Sequence, residues 1–327
     1  MQMADKAAIP VLISSGIAII LIVTIRAFNK KQHALESAEG EDNYGHGFAA
    51  FFRRLFHHPV KTTTTGLTDN QKTTIDMNES IKANTAYFKT LTGNGTMLNN
   101  ARELIKEMKN GGITSPYSQA GVLAVVSKES NFIYKRENLN YDAAGLIRVF
   151  KLPADLAAKI AHQPELIANT VYMPPYNTQL GNTLPGEGNL YRGGGPNQTT
   201  GKNAYKILGE ELGVDLVGNP DLIDDPSVAA KEAVRFFKDG FAALMKSTIL
   251  LKDGKTKVAH STYYHNPTSD INGFSNADDA AAAFYNINAG VGQHESFLLA
   301  DVTGGRALCM ARAEGFLDFI KQQEKAV

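Results

Sequence analysis

The sequence predicts a mainly α-helical domain preceded by a single transmembrane helix and a polar tether. Three observations carry that reading: an uncharged apolar run near the start, a weakly patterned polar stretch after it, and helical spacing of apolar residues from about Thr73 onward. The chain has 327 residues, enough for one large domain with a sizeable core. Lys plus Arg and Asp plus Glu are both 33, so no strong overall positive field exists to attract nucleic acid, and no nucleic-acid partner is expected. Hydrophobic residues at 43% exclude a mostly disordered chain. Cys309 is the single cysteine, which excludes an intrachain disulfide framework and a Cys-rich zinc site.

The first element is residues 1–28. From Ala7 to Ile25 the chain reads AAIPVLISSGIAIILIVTI without a charge. As a helix it spans about 28 Å, close to the hydrocarbon thickness of a bilayer. Pro10 falls in the first turn, where its missing N–H is tolerated. A signal peptide is the rival reading, but the flank before the run holds only Lys6, and no small-residue cleavage site comes after it. The cations Arg26, Lys30 and Lys31 favour a cytoplasmic placement of residues 29–327.

Residues 29–69 read as a linker, low in apolar content and rich in Thr, Gly and charged residues. Inside it, 47–58 predicts an amphipathic helix. Phe48, Phe51, Phe52, Leu55 and Phe56 share one face, with Arg53, Arg54, His57 and His58 interleaved and Pro59 ending the run. Such a helix either lies on a membrane or partner, or packs on the main domain.

Residues 70–327 form the remaining domain. Helical spacing runs through IKANTAYFKTL, LNNARELIKEM, YSQAGVLAVVSKESN, AAGLIRVFKL, ADLAAKIAH, PSVAAKEAVRFFKDGFAALMK and RALCMARAEGFLDFIKQ. Asn100 before ARELI, the Gly111–Gly112 pair and Ser227 after Pro226 read as helix punctuation. Between Met173 and Tyr205 the chain turns rich in Gly, Pro, Asn and Thr. A long irregular stretch inside a helical domain is more often a binding surface than a connection.

Within that stretch GGGPNQTTGKN imitates a phosphate-binding loop. The glycines Gly195 and Gly201 are one residue too far apart, and Asn203 stands where Ser or Thr is needed. His294–Glu295 lacks a second His at zincin spacing, and His260 and His265 lack a Cys or a clear carboxylate partner. No metal and no cofactor are expected.

The chemistry candidates are carboxylates. Glu129 ends an apolar helix where the chain turns polar and aromatic, and Glu137 comes eight residues later. If the helix stops near Glu129, the chain after it can bring Glu137 across a cleft. An acid and a base about 6.5–9.5 Å apart leave room for a water, the inverting glycosidase arrangement. The apolar neighbours of Glu129 suggest the burial that keeps an acid protonated. Spacing alone leaves two solvated helix-end glutamates as the more common outcome.

The blocks SKESNFIYKRENLNYDAAGLIRVF, IANTVY, Gly181–Asn182, GEGNLYRGGGPNQTTGKNAY and LGVDLVGNPDLIDDPSVAAKEAVRFF, with FYNINAGVG further on, resemble glycoside hydrolase family 19 in order and spacing. The family groups chitinases with phage endolysins and lysozyme-like enzymes, and the ENLNY block resembles the endolysin branch. The resemblance implies a two-lobed lysozyme-like domain with a central cleft. It implies Glu129 as general acid and Glu137 as the base that activates water. Tyr191 and Arg192 match the cleft wall, Gln198 and Thr200 the side chains that hold sugar and orient water, and Asn288 a substrate-binding residue near the end of the domain.

Two positions depart from the family pattern. Gly194 replaces the second Arg of its YRGRG block, and Lys128 replaces the His before the acid. A neighbouring ammonium lowers a carboxyl's pKa, the opposite of what an acid needs. The expectation is a membrane-anchored, peptidoglycan-degrading, lysozyme-like enzyme cleaving β-1,4 bonds between N-acetylated sugars. The alternatives are a degenerate wall-binding structural or adaptor protein of a phage tail or secretion machine, and a chitinase. A wall substrate sets the domain outside the cytoplasm, against the charge flanks. The two meet in a virion- or injection-system component stored inside and delivered later.

Overall fold

The computed structural model describes residues 84–289, 294–296 and 305–325. All of them fall within one compact unit, Asp42–Val327; a second unit, Met1–Glu41, lies outside them. The transmembrane segment expected at 1–28, the linker expected at 29–69 and the helix expected at 47–58 also lie outside the described residues. Among the described residues no helix is long and apolar enough to cross a membrane.

The described chain is mainly helical, as expected. Helix α1 covers 84–93 and α2 covers Gly95–Asn110. Asn94, not Asn100, is the cap of α2: its Oδ1 accepts from the Met97 N–H. Asn100 lies inside the helix, buried, and its amide donates to the Phe132 carbonyl at 2.7 Å. Gly111 closes α2, and Gly112 takes φ +86, a conformation glycine adopts without steric cost.

Helix α3, Pro116–Ser130, is the centre of the larger core. Every residue from Ser118 to Ser127 is buried, so the helix has no polar stripe. It is flanked by α11 (Ala277–Ala289) and α12 (Gly305–Lys325). Gly121 lets α3 approach α11 closely, since a Cβ there would stand 2.8 Å from the Ala280 and Ala281 backbone. The run Ala280–Ala283 on α11 presents small side chains to that contact. Leu123, Phe132, Phe284 and Phe316 fill the surrounding core, each contributing about 1.5–3 kcal/mol by burial.

A second, smaller apolar cluster is built from α4 (Ala143–Phe150), α5 (Ala154–Ile160) and α6 (Pro164–Val171), and includes Leu146, Ile160, Ile167 and Tyr172. The non-helical segment 131–142 runs from one cluster to the other, with Phe132 in the first and Leu139 and Tyr141 in the second. After α6 the irregular stretch holds one helical turn, α7 (Glu187–Leu190), before α8 (Lys202–Leu212). A 3₁₀ turn at Pro220–Asp224 leads into α9, Pro226–Met245. Asp225, rather than Ser227, caps α9 by accepting from the Ser227 and Val228 N–H groups. A short hairpin pairs β1 (Thr248–Leu250) with β2 (Lys257–Ala259) and runs into the turn α10 (His260–Tyr263).

Candidate active site

Glu129 stands in the last turn of α3. The helix ends at Asn131 and Phe132, which take φ of +50 and +56 and turn the chain away. Glu129 is exposed, and its Oε1 accepts from Lys128 Nζ at 2.7 Å and from Asn288 Nδ2 at 2.9 Å. Lys128 is the more enclosed partner, its side chain 8% exposed against 30% for Glu129, and it lies over the Tyr285 ring. Two of the candidate residues, Glu129 and Asn288, are therefore in direct contact.

The burial suggested for Glu129 falls on Glu137 instead. Glu137 belongs to the 131–142 segment, and its N–H donates to the Gly193 carbonyl at 2.7 Å. Tyr172 donates to its Oε2 at 2.7 Å, while Oε1 is buried without a hydrogen-bond partner. Burial pushes the Glu137 carboxyl above its ordinary value, opposed by the Tyr172 hydroxyl, the Gly193 N–H and the Arg192 charge. Glu137, Arg192, Leu139 and Glu165 line a cavity of about 350 Å³. Arg192 is steadied from the α7 side, its Nη1 donating to the Asn189 carbonyl at 2.8 Å.

The glycine-rich loop 193–200 folds back on itself. Gly194 and Thr199 exchange backbone hydrogen bonds of 2.9 and 3.2 Å, with Gly195 at φ +69 and Gln198 at φ +52. Gly193 is where three candidate residues converge. A Cβ on it would stand 3.0 Å from Gln198 Oε1 and 3.3 Å from both Glu137 Oε2 and Thr200 Oγ1. Thr200 Oγ1 donates to the Gln198 carbonyl at 2.9 Å, and Gln198 Nε2 to the Gly195 carbonyl at 3.1 Å.

Tyr191, expected on a cleft wall, is 3% exposed. Its ring packs edge-on against Tyr205 and its hydroxyl donates to the Val217 carbonyl, so its visible role is to anchor the entry to the loop. The absent arginine at 194 leaves no vacancy. A Cβ on Gly194 would stand 2.5 Å from Ile223 Cγ2 and 3.1 Å from both Arg136 Cδ and Tyr205 Oη. Arg136 brings a cation to this place: its fork binds Asp221 and the carbonyls of Leu190 and Arg192, over the Tyr205 ring.

Sequence reasoning missed Tyr172, Arg136 and the acidic pair Asp224 and Glu232. Asp224 Oδ1 accepts from the Gly195 N–H at 2.8 Å, and Glu232 accepts from the Thr199 hydroxyl. A signal existed for Glu232, which occupies the apolar stripe of α9 between Ala229 and Phe237. The histidines lie elsewhere. His260 is buried beside Ser247 and stacks on Tyr264, and His265 has a carboxylate partner after all, Asp279 at 3.1 Å.

Glu137, Asp224 and Glu232 all lie against the glycine-rich loop, and Glu129 stands at a helix end. Comparisons with known proteins supply the class. A glycosyl hydrolase family 19 domain-containing protein of Haemophilus influenzae is 36% identical over 138 residues, 40% of this chain and 66% of that protein. Chitinase 11 and Chitinase 8 of Oryza sativa subsp. japonica are each 50% identical over 48 residues, 14% of this chain. The chain spans 19% and 18% of those chitinases. The likeness is to glycoside hydrolase family 19, over part of the chain. No family model matches it.

Proposed function

We propose that this chain is a membrane-anchored glycoside hydrolase that degrades peptidoglycan with inversion, organised as a transmembrane segment at 1–28, a linker at 29–69 and a two-lobed catalytic domain with a central cleft at 70–327. The observation that carries the reading is the convergence of Glu137, Gln198 and Thr200 on Gly193, in a chain similar to family 19 hydrolases. Glu129 donates a proton to the glycosidic oxygen, and Glu137 takes one from the attacking water. Gln198 and Thr200 orient that water and the sugar, and Arg192 and Asn288 hold the polymer. Burial raises the Glu137 carboxyl, and the Tyr172 hydroxyl, the Gly193 N–H and the Arg192 charge work against that, toward the ionised form a base requires. The uncharged Ala7–Ile25 run supports an anchored enzyme working on the wall outside the membrane.

One arrangement favours a second reading, a wall-binding protein that no longer cuts. Lys128 Nζ and Asn288 Nδ2 both bond to Glu129 Oε1, at 2.7 and 2.9 Å, so that oxygen is already engaged within the chain. The deciding experiment incubates the purified full-length chain with peptidoglycan sacculi and with chitin oligomers, and tracks released fragments and their anomeric form. Release of β-1,4 fragments of inverted anomer from sacculi supports the peptidoglycan enzyme. Cleavage of chitin alone makes it a chitinase, and sedimentation with sacculi without cleavage makes it a binding protein.

A further inference from the structure

Glu232 lies outside the hydrolase reading of the site, yet it is built into the loop that the site depends on. It comes from the second turn of α9, is 2% exposed, and its Oε1 accepts from the Thr199 hydroxyl. Its Oε2 has no hydrogen-bond partner and lies against the Cα of Gly195, where any Cβ would collide with it. The buried amide of Asn197 approaches the same carboxyl from the loop without closing a well-formed bond. From the 3₁₀ turn, Asp224 accepts the Gly195 N–H. The loop from Gly194 to Thr199 thus rests on two acidic side chains beneath it.

We propose that Glu232 is a positioning residue of the candidate active site, which acts through Thr199 and Gly195 to set the shape of the loop carrying Gln198 and Thr200. The geometry explains the residue choices above it. Gly195 has to be glycine both for its φ of +69 and because the carboxyl occupies the side-chain space. A hydroxyl at 199 gives the carboxyl its bonded partner in a site closed to water.

Burial favours a neutral carboxyl, and the charges around it divide, Asp224 raising its value and Arg235 lowering it. Asp224 faces it from the 3₁₀ turn and the Tyr134 and Tyr205 rings from the 131–142 segment and α8, while Arg235, on its own helix, is engaged by Glu211 at 2.5 Å. Burial, with the Asp224 charge adding to it, raises the Glu232 carboxyl to about 8. The loop is therefore held by an uncharged acid at neutral pH. Ionisation puts an unpaired oxygen charge under Gly195, so the loop loosens as pH climbs toward that value. The linkage has the same sign: a carboxyl raised in the folded state takes away stability as pH climbs from its unfolded value to its folded one.

The test compares the full-length chain with Glu232→Gln and Glu232→Ala. Hydrogen–deuterium exchange of loop peptides spanning 190–201, corrected for intrinsic rates, is measured from about pH 6 to about pH 9, on either side of the ionisation. In the unsubstituted chain, loop protection is expected to fall as pH climbs toward about 8 and to level off above it. Glu232→Gln, which keeps the shape and cannot ionise, retains protection, and Glu232→Ala loses it at every pH. In parallel, kcat and KM are measured on a soluble hexamer of β-1,4-linked N-acetylglucosamine. Glu232→Ala is expected to lose about ten- to a hundredfold in kcat/KM, with Gln restoring it below about pH 7. Loop protection in Glu232→Ala equal to that of the unsubstituted chain overturns the proposal, and should the Ala chain not fold, protection against pH that is identical in the unsubstituted and Gln chains does so. The kinetic arm alone rests on the hydrolase reading. A chain that leaves both the hexamer and peptidoglycan sacculi uncut ends that reading and leaves the exchange arm to decide this one.

Discussion

The Tyr172 hydroxyl donates a 2.7 Å hydrogen bond to Oε2 of Glu137. Tyr172 is itself held in place, because Asn182 Nδ2 binds its carbonyl while Asn182 Oδ1 accepts the Lys202 N–H at the start of α8. The bond stabilises the ionised form of a carboxyl that burial pushes up. A base works only when ionised, so activity is expected to fall as pH drops through the raised Glu137 value. Tyr172→Phe removes one opposing interaction and moves that acidic limb to higher pH. A plot of kcat/KM against pH for the two proteins checks this, and coincident acidic limbs would sink it.

Glu129→Gln and Glu137→Gln keep shape and remove the proposed acid and the proposed base respectively. Each is expected to lower wall hydrolysis at least about a hundredfold with the fold retained. Turnover of labelled sacculi beside a circular dichroism melt gives the answer. Undiminished digestion by either variant removes that glutamate from the mechanism.

Gly194→Arg introduces the arginine of the family 19 pattern, yet Ile223, Arg136 and Tyr205 already fill its space. The expected outcome is no gain in activity and a loss of about 1–3 kcal/mol from overpacking. Urea denaturation measures the second, and a large rise in activity would show that Arg136 does not stand in for the missing cation.

Asn100→Ala cuts the 2.7 Å bond to the Phe132 carbonyl and leaves that buried acceptor unpaired. The expected cost is about 1–3 kcal/mol. Because Phe132 has φ +56 in the turn just after Glu129, activity is expected to fall further than stability explains. Equal urea midpoints for Asn100→Ala and the unsubstituted chain would contradict the first half.

Helices α2, α4, α5, α9 and α12 were legible because their apolar spacing is local, and α3 because its apolar run is too long for a strand. So was the Gly111–Gly112 stop, which depends on one residue's freedom at φ +86. The caps were misplaced, at Asn100 instead of Asn94 and at Ser227 instead of Asp225. Asn and Ser look like caps wherever they stand, and only the burial of Asn100 under Phe132 reveals its other use. Helix α11 and the hairpin β1–β2 gave no strong periodic signal: α11 is alanine-rich and each strand has three residues. At the site, residue types and order were readable, while burial was not. Glu137 is enclosed by Tyr172, and Gly194 is filled by Arg136, through contacts 35 and 58 positions apart that no local pattern encodes.

The bare Cα of Gly193, ringed by oxygens of Gln198, Glu137 and Thr200, bears on how such a chain drifts over generations. Every amino acid reachable from a glycine codon by one nucleotide change brings a Cβ, and here that carbon would press on all three oxygens together. A single base change at this codon therefore disturbs in one step what would otherwise take separate losses at three positions. Lineages of this gene that keep cutting should retain glycine at 193, and those that have stopped should show its loss early.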